Sequence, residues 1–167
     1  FTNRTGYHSE KKMTGQSIND VQDEIIEEFS MLEGDMESTV FYIMELGSRL
    51  EPLDERFRVP ENLVKGCQSK VWLTSRFQDG LVWFMADSNP DVTKGLISLL
   101  VRLGNGRTPR EILGSDLYFI DRIGMARVIG SQRSNGFASM IQRMKLYALQ
   151  YQEQAGVTGA AAVDAGS

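Results

Sequence analysis

The chain has 167 residues, 41% of them hydrophobic and 24% charged, enough for one globular domain with a sizeable core. Its formal net charge of −4 argues against a general nucleic-acid binder, and its longest unbroken apolar run, residues 81–86, is far too short to span a bilayer. One cysteine and one histidine exclude a disulfide framework and a zinc or iron–sulfur site built from the usual three or four Cys and His ligands, and the sole histidine, His8, in a polar N-terminal stretch, is no plausible base for a thiol-protease dyad.

Residues 1–16 are polar and aperiodic and contain the sole histidine, His8; they read as a disordered leader. Residues 17–153 read as one domain, and the small, low-complexity residues 154–167 as a flexible tail. Within the domain, Ile18, Val21, Ile25, Phe29 and Leu32 recur at helical spacing behind a Ser17 cap, and Gly34 ends that helix. A second helix is predicted from about Asp35 with Val40, Phe41, Met44 and Leu50 on its inner stripe, forming an antiparallel hairpin with the first. Residues 50–60, charged and carrying Pro52 and Pro60, read as a connector.

Residues 70–77 then alternate, with Val71, Leu73 and Phe77 on one face and Trp72 and Thr74 on the other. Asp79-Gly80 predicts a hairpin turn, and residues 81–86 a strand buried on both faces, with Trp72 and Trp83 in the core. Ser88 or Asn89 before Pro90 predicts a helix start, and Val92, Leu96, Leu100 and Leu103 carry that helix to Gly104. Thr108-Pro109-Arg110-Glu111 is a capping box, and a short apolar helix follows over 117–123. A long last helix is predicted from near Ser134, with Phe137, Met140, Ile141, Met144 and Tyr151 on one stripe. Met31, Met36, Met44, Met140 and Met144 read as core filler, and Arg127, Arg133, Arg143 and Lys145 as a solvated face. The fold class is α+β, a small antiparallel β-sheet packed with helices.

Cys67 lies just ahead of the first strand, in Lys65-Gly66-Cys67-Gln68-Ser69. Free cysteines are usually small buried hydrophobes; a thiolate favoured by Lys65 would instead be a nucleophile, and Gly66 admits backbone a Cβ would forbid. Spacing does not decide between the two. A lone cysteine favours a reducing, cytoplasmic compartment, and the polar first residues with Arg4, Lys11 and Lys12 make no signal peptide.

Residues 64–73, Val64-Lys65-Gly66-Cys67-Gln68-Ser69-Lys70-Val71-Trp72-Leu73, resemble the signature of the SufE family, activators of group II cysteine desulfurases. Three further blocks agree in order: Leu46-Gly47 with Leu50, Pro52 and Leu53; Ala86-Asp87-Ser88 then Lys94-Gly95-Leu96-Ile97; and Gln132-Arg133-Ser134-Asn135-Gly136-Phe137. The chain departs from the family pattern at Asn89-Pro90, where Asp-Ala is usual, and at Gln132 and Phe137.

The resemblance implies a fold like the IscU scaffold, with one cysteine where the scaffold has a cluster ligand. It implies that Cys67 accepts sulfur as a persulfide from a desulfurase of the SufS or CsdA type and passes it to a downstream iron–sulfur scaffold or other acceptor. Pyridoxal phosphate is expected on that partner, with no cofactor or metal on this chain, which stimulates the desulfurase rather than acting as a stand-alone enzyme. Gly66, Gln68 and Ser69 are then the supporting loop. Cys67 is expected to rest sheltered and swing out on docking, because an exposed persulfide is easily reduced or oxidised. Arg133, Asn135, Asp87 and Lys94 are candidates for partner or persulfide contact. Against this stand capping by Asp87, Ser88, Ser134 and Asn135, loop-carbonyl bonds from Arg133, and a solvated Lys94. A non-covalent activator with a structural Cys67 is the alternative function.

Overall fold

A computed structural model of the chain describes residues 16–89 and 91–166, with side chains described to residue 156. His8 and the leader expected over residues 1–16 thus lie, except for Gln16, outside the described residues, as does Pro90.

Helix α1, Ile18–Ser30, opens with a full capping box between Ser17 and Asp20 and buries Ile18, Val21, Gln22, Ile25 and Phe29. Helix α2, Met36–Ser48, is capped by Asp35 and follows a turn through Gly34. Its buried stripe is Thr39, Ile43, Leu46 and Gly47, not the expected one; Phe41 is 64% and Met44 42% exposed. The reason is helix α3, Val92–Gly104, which crosses so closely that a Cβ on Gly95 would lie 2.0 Å from the Ile43 carbonyl oxygen. Small residues must face that crossing, which turns Phe41 and Met44 outward. Met31 and Met36 are exposed too, and of the five methionines expected in the core only Met140 and Met144 are there.

Strands β1, Val71–Gln78, and β2, Leu81–Ser88, form a two-stranded antiparallel hairpin in register from Val71 opposite Ser88 to Gln78 opposite Leu81. Asp79 and Gly80, both at positive φ, make its turn. Val71, Leu73, Val82, Phe84 and Ala86 are buried beneath α3 and the last helix. The other face is only half-buried, because no second layer covers it, so β2 is not buried on both faces as expected. Trp72 and Trp83 stand on that face under the guanidinium groups of Arg58 and Arg76, at 5.0 and 5.8 Å.

Asp91, one residue beyond the expected start, caps α3. Helix α4, Pro109–Gly114, has the predicted capping box, and α5, Phe119–Ile123, ends on a left-handed Gly124. Helix α6, Met125–Gly166, joins two helical stretches across non-helical backbone at Gly130 (φ 85°, ψ 170°), so its long second stretch opens a few residues ahead of the expected Ser134. It continues as helix through the segment read as a tail. The architecture is α+β, with the hairpin laid against α3 and α6.

Candidate functional site

Between η-turn residues 60–62 and β1 the chain makes a short loop that carries Cys67, and both of its ends are tied down. Upstream, the Val64 N–H donates to the Val71 carbonyl at 2.8 Å, extending the hairpin edge. Arg143 of α6 donates to the carbonyls of Leu63 and Glu61, at 3.1 and 2.6 Å. Downstream, the Ser69 hydroxyl donates to the Asp91 carboxylate at 3.0 Å. Gly66 turns the chain at φ 95°, where a side chain would be strained and its Cβ would meet Ser139 Oγ at 2.5 Å.

Cys67 is half-buried against α6, its S–H donating to the Gly136 carbonyl at 3.4 Å. Gly136 lets the sulfur settle close: a Cβ there would sit 3.3 Å from it, a tight contact. Beside the thiol opens a cleft of about 470 Å³. Cys67, Gln68, Ser69 and Thr93 form one wall. The other comes from the Gly130 break and the turn after it, with Ser131, Gln132 and Arg133, above Gly136 and Met140. Burial pushes the Cys67 thiol above its ordinary pKa, so the resting group is the protonated thiol. The Lys65 side chain, expected to favour a thiolate, is on an exposed residue, and desolvation sets the direction.

The structure thus brings Cys67, Gln68, Ser69 and Arg133 to one cleft, with Gly66 as the hinge behind. Arg133 is exposed and lies in the first turn of α6 after the Gly130 break, so it is not in a loop. Ser134 and Asn135 sit further into the helix, past the turn that follows the Gly130 break, so they do not take the capping role expected of them. Asn135 is exposed, off the cleft wall, and its carbonyl accepts the Ser139 hydroxyl at 3.2 Å. Asp87 and Lys94 do not line the cleft either. Asp87 is 5% exposed, ion-paired with Arg58 and with Lys94 at 3.4 Å, and accepts the Ser88 N–H at 2.8 Å. It clasps the 50–60 connector to the hairpin and α3 and caps no helix.

Sequence reasoning missed Asp91, Thr93 and residues 129–132. The Asp91-Val92-Thr93 cap was legible as an Asp two residues before a Thr N–H, but the Asn89-Pro90 pair next to it drew the helix start forward. Gly130-Ser131 reads as a loop, and only packing makes it a break between two helical stretches. Among the described residues no group of three or more His, Cys, Asp or Glu side chains is placed to hold a metal, and no helix is long and apolar enough to cross a membrane.

The model of the SufE family, described as an Fe-S metabolism associated domain, matches residues 23–148. An uncharacterized SufE-like protein of Rhizobium etli is 36% identical over 128 residues, covering 74% of this chain and 86% of that protein. Another, from Synechocystis, is 36% identical over 106 residues, covering 64% of this chain and 67% of its own. The solution structure of a hypothetical protein from Thermus thermophilus superposes with a TM-score of 0.63 at 20% identity, over 78% of this chain and 94% of that one, and shows a shared fold. The matched segment contains the Cys67 loop and both walls of its cleft, and the chain belongs to the SufE family, whose domain is associated with iron–sulfur metabolism.

Proposed function

We propose that Cys67 is a sulfur acceptor: it takes sulfane sulfur from the persulfide of a cysteine desulfurase of the SufS or CsdA type and hands it on for iron–sulfur cluster assembly in the cytoplasm. The observation that carries this reading is the placement of the only cysteine at the edge of an open cleft, on a short loop with anchored ends and a glycine hinge.

The chemistry needs nothing further from this chain. The Cys67 thiolate attacks the outer sulfur of the desulfurase persulfide, forming an S–S bond at Cys67 as the donor S–S bond breaks. The electron pair leaves on the desulfurase sulfur, which takes up a proton; sulfane sulfur moves and no net redox change occurs. Pyridoxal phosphate belongs to the partner. In the free protein burial keeps the thiol protonated and shielded, and docking turns it outward, where the loss of burial restores thiolate character.

The raised thiol pKa and the S–H bond to Gly136 also suit a structural cysteine in a non-covalent activator. Cys67→Ser separates the two readings. After incubation with a desulfurase, pyridoxal phosphate and L-cysteine, the carrier gains a reducible mass of about one sulfur atom on the Cys67 peptide, and Cys67→Ser neither gains it nor stimulates turnover. Undiminished stimulation by Cys67→Ser would leave only the activator.

A further inference from the structure

Asp91 does more than a helix cap requires. One carboxylate oxygen, Oδ1, accepts the Thr93 N–H at 2.6 Å and caps α3, which is the ordinary task of an Asp at that position. The other, Oδ2, accepts the Ser69 hydroxyl at 3.0 Å, two residues beyond Cys67. A single carboxylate therefore joins the first turn of a buried helix to the downstream end of the Cys67 loop. The upstream end is held independently by Arg143 on the Glu61 and Leu63 carbonyls. Between these two posts lie residues 65–68, with Gly66 as the hinge and the Cys67 S–H bond to Gly136 as the resting latch.

We infer that Asp91 is a positioning residue for sulfur acceptance: through Ser69 it fixes the base of the Cys67 loop, so that the thiol travels between its rest against Gly136 and a defined outward position. This rests on the carrier reading above. The loop is short, so the place its tip reaches is set by where its ends are held. Freeing Ser69 lets the tip leave Gly136 more often and arrive in more orientations, and only a fraction of these align a thiolate with the outer sulfur of a persulfide. The thiol then becomes easier to modify by a small reagent and slower in sulfur transfer. Because Ser69 acts on the loop rather than on docking, the loss falls on the rate at saturation.

The test uses the full chain with Ser69→Ala, Ser69→Thr, Asp91→Ala and the double variant Ser69→Ala/Asp91→Ala. Two rates are read: alkylation of Cys67 by iodoacetamide, and desulfurase turnover with the carrier concentration varied. Ser69→Ala leaves the cap intact, so it stays folded even if Asp91→Ala does not. It is expected to speed alkylation and lower kcat, each by about tenfold, the factor one hydrogen bond to a charged group carries, with KM within about twofold. Ser69→Thr, which keeps the hydroxyl, restores both. Asp91→Ala reproduces the effect, and the double variant adds nothing, since both changes remove one bond. Wild-type rates in Ser69→Ala overturn the inference, and so does a loss in Ser69→Ala without one in Asp91→Ala, which would give Ser69 a direct contact. If the wild type acquires no sulfur, the carrier reading falls, and the alkylation arm alone then decides whether Asp91 holds the loop.

Discussion

Replacing Gly136 by Ala puts a methyl group where the Cys67 sulfur rests. The new carbon would lie 3.3 Å from Sγ, 3.6 Å from the Cys67 Cα and 3.8 Å from its Cβ. The last two are ordinary contacts, and only the first is tight. The sulfur must withdraw by a few tenths of an ångström, which a loop hinged at Gly66 can supply for well under about 1 kcal/mol. Against this, Ala is favoured over Gly in a helix interior by roughly 1 kcal/mol. The fold should therefore hold or gain about 0.5 kcal/mol while the thiol is displaced toward solvent. Burial is what raises the Cys67 pKa, so displacement lowers it toward the ordinary value. Alkylation follows the thiolate fraction. The pH profile of iodoacetamide labelling, followed by intact mass, should have a lower midpoint in Gly136→Ala than in wild type. Linkage gives a companion sign. The folded thiol holds its proton more tightly than the unfolded one, so its contribution to stability is full below the unfolded pKa and is lost as pH rises through the folded pKa. That alkaline loss should shrink in the variant. An unchanged labelling profile, or a stability loss above about 2 kcal/mol with the profile intact, would mean that Cys67 does not rest on Gly136.

Four other changes test the loop and the fold around it. Gly95→Ala drives a Cβ to 2.0 Å from the Ile43 carbonyl oxygen, a backbone atom, and should cost about 2 kcal/mol after the helix-propensity gain, read as a lower urea midpoint with unchanged m. Gly156→Ala, with open space around it, should instead stabilise slightly. Gly66→Ala combines φ 95° with a 2.5 Å approach to Ser139 Oγ; it should lose about 1–3 kcal/mol and slow sulfur loading together, and a stable variant with normal loading would count against the hinge. Burial alone would raise the Glu28 pKa, but hydrogen bonds from Arg102 and Tyr42 outweigh it and hold the carboxyl below its ordinary value. That stabilisation is present above the unfolded pKa of Glu28 and lost as pH falls through the folded one, so Glu28→Gln should flatten the acid limb of a urea-midpoint series.

Local chemistry made several elements legible. The capping boxes at Ser17 and Thr108, the Asp79-Gly80 turn and the alternation of β1 depend on neighbours within four residues, and each is found where it was expected. The inner stripe of α2 was not legible, because apolar residues occupy two overlapping faces and periodicity alone does not rank them. The choice is made by Gly95, about fifty residues along, whose close crossing sets Ile43 and Gly47 against α3. The start of α6 was hidden for a related reason. Gly130 breaks the helix with non-helical backbone, and a short helical stretch ahead of it, from Met125, is not marked by local signals.

Composition shows that one thiol carries any cysteine chemistry, and the motif from Val64 to Leu73 places it at the end of a loop leading into a hairpin. Both follow from composition and from signals local to the chain. The tertiary structure decided what that thiol rests against. Gly136 lies 69 residues away, Arg143 is further still, and Asp91 sits beyond the hairpin at the cap of α3. Packing against α6 buries Cys67 and so sets the direction of its pKa, because desolvation depends on distance in space and not along the chain.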